Sequence, residues 1–330
     1  MTTDPGTSLD SVAVLYIGGE GRSGSTLMAA LLGNQDGFFP VGECRDIWQA
    51  LRTDERCGCG EIFSNCSFWR KVGERAFGGW DTIDVGEMLE RDDEFARQRR
   101  LPRVLLGSLP WIRNRELDAY RGQLARLYLG IQAESGCSVI VDSTKDPAYA
   151  LLLSAAPGID FRVVHLVRDS RGVAYSWTKK NVERPEYAEH PTLKGTFMGS
   201  RTLPRGALLW DAKNLAFHVL KLSDRKRRVT YESLIFDPER ELEPVLRLAV
   251  EGRPVSTATA NVDTQFEYRP FHTLGGNRVR FERGPIRLHA DDEWKHRMGR
   301  PQRKVVCMLT FPFLMAYGYV RFPRRARRCT

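Results

Sequence analysis

The sequence predicts an α/β protein: a P-loop-containing parallel sheet with helices on both faces and a helical insertion. Three observations carry that prediction. SVAVLYIGG (Ser11 to Gly19) is a short β-branched apolar run ending in glycines. The overlapping stretch GGEGRSGSTLMAALL (18–32) then passes through a glycine-rich turn into helix formers. Further apolar runs alternate with helical stretches, as buried parallel strands and their crossovers do.

The first helix is predicted to close at Gly33 and Asn34. CSVIVDSTK (Cys137 to Lys145) and FRVVHLVRD (Phe161 to Asp169) read as buried strands, followed by helices in PAYALLLSAAP and SRGVAYSWTKK. RRVTYESL (Arg227 to Leu234) reads as a fourth strand before a helix around Glu239 to Ala249. The span from about Cys44 to Gly136 is rich in Trp, Arg and helical patterning and too long for a simple crossover. It is expected to form a helical insertion that builds an acceptor pocket, with Trp48, Trp69, Trp80, Phe95 and Trp111 offering aromatic surface or filling a core. The polar stretch from Gly252 to Ala290 reads as a functional loop. A last helix, broken at Pro312, precedes a basic tail at 321–330. All of residues 1–330 are taken as one domain.

Net charge is +9, from 50 Lys and Arg against 41 Asp and Glu, which favours anionic ligands or surfaces without identifying one. No stretch reaches the roughly 18 to 20 apolar residues of a membrane span, and MTTDPGTSLD lacks a signal-peptide pattern, so a cytoplasmic protein is expected. Seven cysteines, an odd count, argue against a disulfide framework there. Cys57, Cys59 and Cys66 cluster in CGCGEIFSNCSFW with no obvious fourth ligand, so a structural thiol-rich loop is expected rather than a zinc site.

The pattern G-x-x-x-x-G-K-[ST] fits from Gly19 to Gly24 and then fails, because Ser25 stands where a nucleoside-triphosphate binder carries Lys. Amides from Ser23 to Leu27 at a helix start can still converge on one phosphate, and Arg22 supplies a planar cation. A second anion site is suggested by VRDSRGVAYS, where Arg168 ends a strand and Ser176 lies about two helical turns on. Two separate phosphates on one ligand explain both sites.

GRSGSTLM, VRDSRGVAYS, TYESL and the late GGNRVRF together resemble the sulfotransferases that use 3′-phosphoadenosine 5′-phosphosulfate, in a form similar to bacterial members and the tyrosylprotein enzymes. The matching blocks are dispersed between about Val12 and Tyr319. The resemblance implies that Arg22, Ser23, Gly24, Ser25, Thr26 and Leu27 bind the 5′-phosphosulfate, and Arg168 and Ser176 the 3′-phosphate. It further implies a loop closing over the nucleotide through Gly275, Gly276, Asn277, Arg278 and Arg280, with Tyr231 near the adenine. Glu43 in VGECRD corresponds to the base that takes the acceptor proton, and its bland reading is an ion pair with Arg45. Lys145 in VDSTKDP, with Arg22, corresponds to the cations that stabilise the departing 5′-phosphate.

The expected reaction is in-line transfer of a sulfuryl group to a hydroxyl of a small-molecule, glycan or lipid acceptor, with no metal required. His272 and His165 are weighed as alternative bases, because many cytosolic relatives use a histidine. A competing reading is a P-loop kinase or NTPase using ATP and magnesium, with Asp142 in VIVD as the metal-holding carboxylate. A third rests on the charge runs RQRRLPR and RFPRRARR, which read as solvated faces: no nucleic acid is expected, while the basic tail allows peripheral contact with anionic lipid. The sequence leaves the oligomeric state open.

Overall fold

Residues along β1 (Val12–Gly18) alternate between two cores. Val12, Val14 and Tyr16 pack on one side and Ala13, Leu15 and Ile17 on the other, all fully buried. Side chains of a strand point alternately to its two faces, so an unbroken apolar run demands cover on both. The computed structural model describes residues 11–109, 111–112, 114–252 and 265–320, which supply that cover.

After β1 the chain enters α1 (Ser25–Gly33) and returns as β2 (Phe38–Gly42). The insertion follows as α2 (Ile47–Thr53), α3 (Ser67–Phe77), α4 (Val85–Arg91), α5 (Leu101–Gly107) and the long α6 (Arg115–Ser135). Then come β3 (Val139–Lys145), α7 (Pro147–Ser154), β4 (Ile159–Val167), α8 (Ser170–Thr178), α9 (Leu203–Val219) and β5 (Lys226–Thr230). The described chain continues through α10 (Tyr231–Phe236), α11 (Pro238–Val250), the antiparallel pair β6 (Gln265–Tyr268) and β7 (Gly284–Arg287), α12 (Trp294–Arg297) and α13 (Arg300–Ala316).

The five main strands are all parallel, in the order β2-β3-β1-β4-β5. Helices α1 and α11 cover one face; α2, α3, α6, α7 and Phe217 of α9 contribute to the core on the other. The chain leaves β1 toward β2 on one side and leaves β4 toward β5 on the other. A crevice therefore opens beyond the carboxyl ends of β1 and β4, where ligands of open α/β sheets bind.

Four sequence expectations change. Phe38–Gly42 is a strand that periodicity missed, being five residues long and interrupted by Pro40, which an edge position tolerates. The expected fourth strand stops at Thr230 and YESL is helix: the Thr230 hydroxyl accepts from Ser233 N at 3.2 Å and starts a helix at Tyr231. The last helix runs through Pro312 unbroken, its lost internal bond offset by packing through Val306 and by Thr310, whose hydroxyl meets Ser170 at 2.7 Å. Finally, Trp48, Trp69 and Phe95 are buried core, Trp80 packs on that core, and Trp111 is exposed, so the insertion's aromatics form no pocket wall.

The basic run near residue 100 is partly offset locally: Arg97, Arg99 and Arg100 share Asp93, and Arg103 pairs with Glu94. The tail at 321–330 and the segment 253–264 of the polar stretch lie outside the described residues. No described helix is long and apolar enough to cross a membrane.

Candidate active site

Each of the five parallel strands delivers a site residue from its carboxyl end. β1 leads into the glycine turn and Arg22, β2 into Glu43, β3 ends on Lys145, β4 leads to Arg168, and β5 hands over to Tyr231. All five line one cavity of about 580 Å³, within the usual range for a small-ligand site. Gly24, Ser25, Thr26, Leu27, Ser176, Gly275, Gly276 and Asn277 line it too.

The glycine turn is built for close approach. Gly24 caps α1 with φ 91°, and a Cβ there would stand 2.5 Å from the Tyr231 ring. The first helical bond is Met28 N to Gly24 O, 3.0 Å, so the preceding amides of the turn have no helical acceptor and are available to an anion. Ser23 does not line the cavity; it is buried, and its hydroxyl has no hydrogen-bond partner among the described residues.

Arg22 lies over the Trp177 ring at 5.1 Å, with Arg201 3.6 Å from the same ring, so one indole carries two guanidiniums. Burial lowers the Arg22 pKa from its ordinary value, while nearby Glu43 opposes the fall. Arg168 is held on several sides. It donates to Arg22 O at 3.0 Å and Asp291 O at 2.6 Å, meets the Asp291 carboxylate at 3.0 Å, and stacks 4.6 Å from the Tyr231 ring centre. Trp210 Nε1 donates to Arg168 O at 3.0 Å, which fixes the backbone there.

The same cavity wall carries an ion pair. Lys145 Nζ donates to Glu43 Oε1 at 2.7 Å and to Ser143 O at 2.6 Å. Arg45 is not the partner of Glu43; it forms a two-pronged pair with Asp92 at 3.0 and 2.9 Å. Both Lys145 and Arg22 have φ 68°, a left-handed conformation that costs a residue with a side chain about 1–2 kcal/mol and is held by the surrounding structure. Asp46, also in the cavity wall, is raised to about 6 by burial and then by the adjacent Glu43 carboxylate.

The loop after the polar stretch reaches the same place. Leu274 N donates to Val41 O (2.9 Å) and Glu43 N to Leu274 O (2.7 Å), stitching the loop to the end of β2. Asn277 N donates to the Thr26 hydroxyl at 3.4 Å. Gly275 has φ 57°, and a Cβ there would meet Glu43 Cβ at 2.9 Å. Arg278 opens a short 3-10 turn, Arg278–Phe281. Arg280 departs from expectation: it is 1% exposed, absent from the cavity wall, and bonded to Thr273 O and Arg56 O, so it braces the loop from behind.

Neither histidine reaches the cavity. His165 is buried, bonded to Asn214 Oδ1 at 2.8 Å and lowered to about 4 by burial. His272 faces the cysteines, with Nδ1 3.2 Å from Cys66 Sγ, and so supplies the fourth polar partner that the thiol-rich loop lacked in sequence. Asp142 is fully buried, accepting from Tyr128 OH and from Thr144 N at 2.7 Å. Of the insertion's described residues only Arg45 and Asp46 reach the wall; Glu20, Trp177, Arg184, Glu186, Met198, Arg201 and Lys213 also line it. The sequence reading missed these residues: Glu20 and Trp177 stand within and just after the two motifs at positions given no role, the stretches of the others carry no motif, and α9 brings Lys213 in from far along the chain.

Fold and site together define an α/β protein with a glycine-rich turn and a cation-lined cavity at the switch point of a parallel sheet. No protein-family profile and no curated protein matches the chain. Among solved structures it is similar to the sulfotransferase domain of the olefin synthase of Synechococcus PCC 7002, at 16% identity and TM-score 0.43, covering 95% of this chain and 96% of that one. It is also similar to the sulfotransferase domain of the curacin biosynthetic pathway, at 14% identity and TM-score 0.44, covering 91% and 98%. A sulfotransferase from Mycobacterium tuberculosis H37Rv aligns at 14% identity and TM-score 0.37, covering 75% and 69%. At such values these likenesses assign no function on their own.

Proposed function

We propose that the chain transfers a sulfuryl group from 3′-phosphoadenosine 5′-phosphosulfate to an acceptor hydroxyl. The observation that carries this reading is one cavity holding two distinct cationic grips, the glycine turn with Arg22 and the Arg168–Ser176 pair, with a carboxylate–ammonium pair beside them. Two grips suit a donor with phosphates at both ends of its ribose. The 5′-phosphosulfate lies on the helix start and the 3′-phosphate against Arg168.

In this reading the acceptor oxygen attacks sulfur as the bond from sulfur to the bridging phosphate oxygen breaks. Glu43 takes the hydroxyl proton, and Lys145 with Arg22 offsets the charge arriving on the departing phosphate. The products are a sulfate ester and 3′-phosphoadenosine 5′-phosphate. Because Lys145 grips Glu43 directly, a bound donor that draws the ammonium toward its bridging oxygen also frees the carboxylate. The acceptor-side wall is rich in charge, from Arg45, Asp46, Arg184, Glu186 and Lys213, which favours a polar hydroxyl compound over an aliphatic one.

The kinase reading is disfavoured by Asp142, whose carboxylate is sealed in the core and absent from the cavity wall. Calorimetry with 3′-phosphoadenosine 5′-phosphate, with magnesium omitted, tests the proposal. Binding is expected, and Arg168→Ala or Arg22→Ala should weaken it about 10- to 100-fold, the worth of a charge-assisted contact. Where the nucleotide binds, labelled sulfate transfer to a cell extract identifies the acceptor class; a chain that ignores this nucleotide yet binds ATP with magnesium overturns the reading.

A further inference from the structure

Away from the cavity, the thiol-rich loop and the late loop meet in a cluster of four soft donors. Cys57 and Cys66 are buried, Cys59 and His272 partly so. Sγ of Cys66 lies 3.8 Å from Sγ of Cys57 and 3.8 Å from Sγ of Cys59. His272 Nδ1 lies 3.2 Å from Cys66 Sγ and 3.9 Å from Cys57 Sγ, and all four donor atoms fall within 4.8 Å of one another.

We propose that Cys57, Cys59, Cys66 and His272 hold one structural zinc ion that pins the cavity-closing loop to the insertion. A tetrahedral zinc with bonds of about 2.3 Å to sulfur and about 2.0–2.1 Å to nitrogen requires sulfur–sulfur edges near ~3.8 Å and sulfur–nitrogen edges near ~3.6 Å. The cluster has two of the first kind and brackets the second. Three cysteines and a histidine form a closed set, which leaves no position for a substrate and marks a structural ion. Thiolate and imidazole donors in that geometry select zinc over harder cations.

A disulfide does not account for the cluster. Sulfurs bonded to each other lie about 2.05 Å apart, and any pairing leaves one thiol and the histidine unexplained. Orientation is built in as well: the His272 ring stacks on Phe68 at 4.8 Å and 8°, which aims Nδ1 at the thiols. Cys57 N bonds Glu61 O, and Gly60 N bonds Cys57 O, each at 2.8 Å, curling the loop so that two of its sulfurs face inward. On binding, three thiols release their protons to solvent and the histidine coordinates as neutral imidazole, so the site carries one net negative charge.

The ion's place explains why it belongs there. His272 lies three residues before Gly275, and Thr273 O accepts from Gly58 N at 3.0 Å, so cysteine loop and cavity loop already share a seam. Arg283 adds bonds to Gly58 O and Cys59 O. An ion at the cluster converts this seam into a fixed post for Gly275, Gly276 and Asn277.

Elemental analysis of the purified full-length chain tests the proposal without reference to catalysis. Equimolar zinc is expected, falling severalfold in His272→Ala and in Cys59→Ser, the most exposed of the three cysteines. Because a variant can simply misfold, the wild-type chain is also exchanged with cobalt, which should develop the intense thiolate-to-metal absorption of a multi-cysteine site. In the loaded chain, proteolysis between 271 and 283 should be roughly tenfold slower than after chelation. Substoichiometric zinc that zinc-supplemented expression does not restore, equimolar iron instead of zinc, or a cobalt form without thiolate absorption would each overturn it. Nucleotide binding plays no part in these readouts, so this proposal and the sulfotransferase reading fail independently.

Discussion

At the scale of single residues, the proposed chemistry rests on the ion pair of Glu43 and Lys145. The carboxylate bonds the ammonium that would support the leaving group and is itself assigned no contact with the nucleotide, so removing its charge should affect proton transfer more than nucleotide affinity. Glu43→Gln is expected to hold 3′-phosphoadenosine 5′-phosphate within a few-fold of wild type while turnover falls about 10²- to 10⁴-fold, the usual worth of a general base. Sulfate-transfer kinetics beside calorimetry check this, and a fully active glutamine variant removes Glu43 as the base. Asp142 gives a separate test of the core. Burial raises its carboxyl to about 6, against roughly 3.9 in an unfolded chain. The folded state therefore keeps that proton longer, and the stability it brings is complete below about pH 4 and lost as pH rises through 6. Relative to Asp142→Asn, wild type should lose roughly 2–3 kcal/mol between pH 4 and pH 7 in urea unfolding. A pH-independent gap between the two would refute the assignment.

At the scale of elements, the loop that lines the cavity through Gly275, Gly276 and Asn277 depends on one backbone conformation. Gly275→Ala places a methyl group against Glu43 in a left-handed residue, a strain of about 1–2 kcal/mol. Calorimetry is expected to show nucleotide affinity falling by about tenfold, and Tm should drop by roughly 2–4 °C, since neighbouring Leu274 anchors the loop in a main core. The same scale shows what sequence could reveal. Strands β1, β3 and β4 are long, apolar and followed by helices, and Arg22, Lys145 and Arg168 come directly after or at the end of such runs, so motif and periodicity agreed there. β2 was hidden because Phe38–Gly42 is short and holds a proline. The partner of Cys57 and Cys66 was hidden because His272 lies about 200 residues away, and no local pattern records a contact that only the folded loop creates. The tryptophans of the insertion were ambiguous for a different reason: an aromatic at helical spacing serves a core and a pocket equally well until burial decides.

For the whole molecule, the sequence supplied the succession of strands but not their lateral order, because β1 acquires its neighbours β3 and β4 only after the insertion has been crossed. That order puts five groups from the strands' carboxyl ends at one rim of the sheet, with Arg168 and Arg22 touching across it. Binding should therefore be lost together with the global fold, and urea midpoints followed by nucleotide fluorescence and by far-ultraviolet circular dichroism should coincide. A separate, earlier loss of binding would show that the rim melts alone. A ligand seated there acts like a hoop around staves: it touches the end of every strand at once, so a slip of any single stave by one residue loosens the grip on all of them.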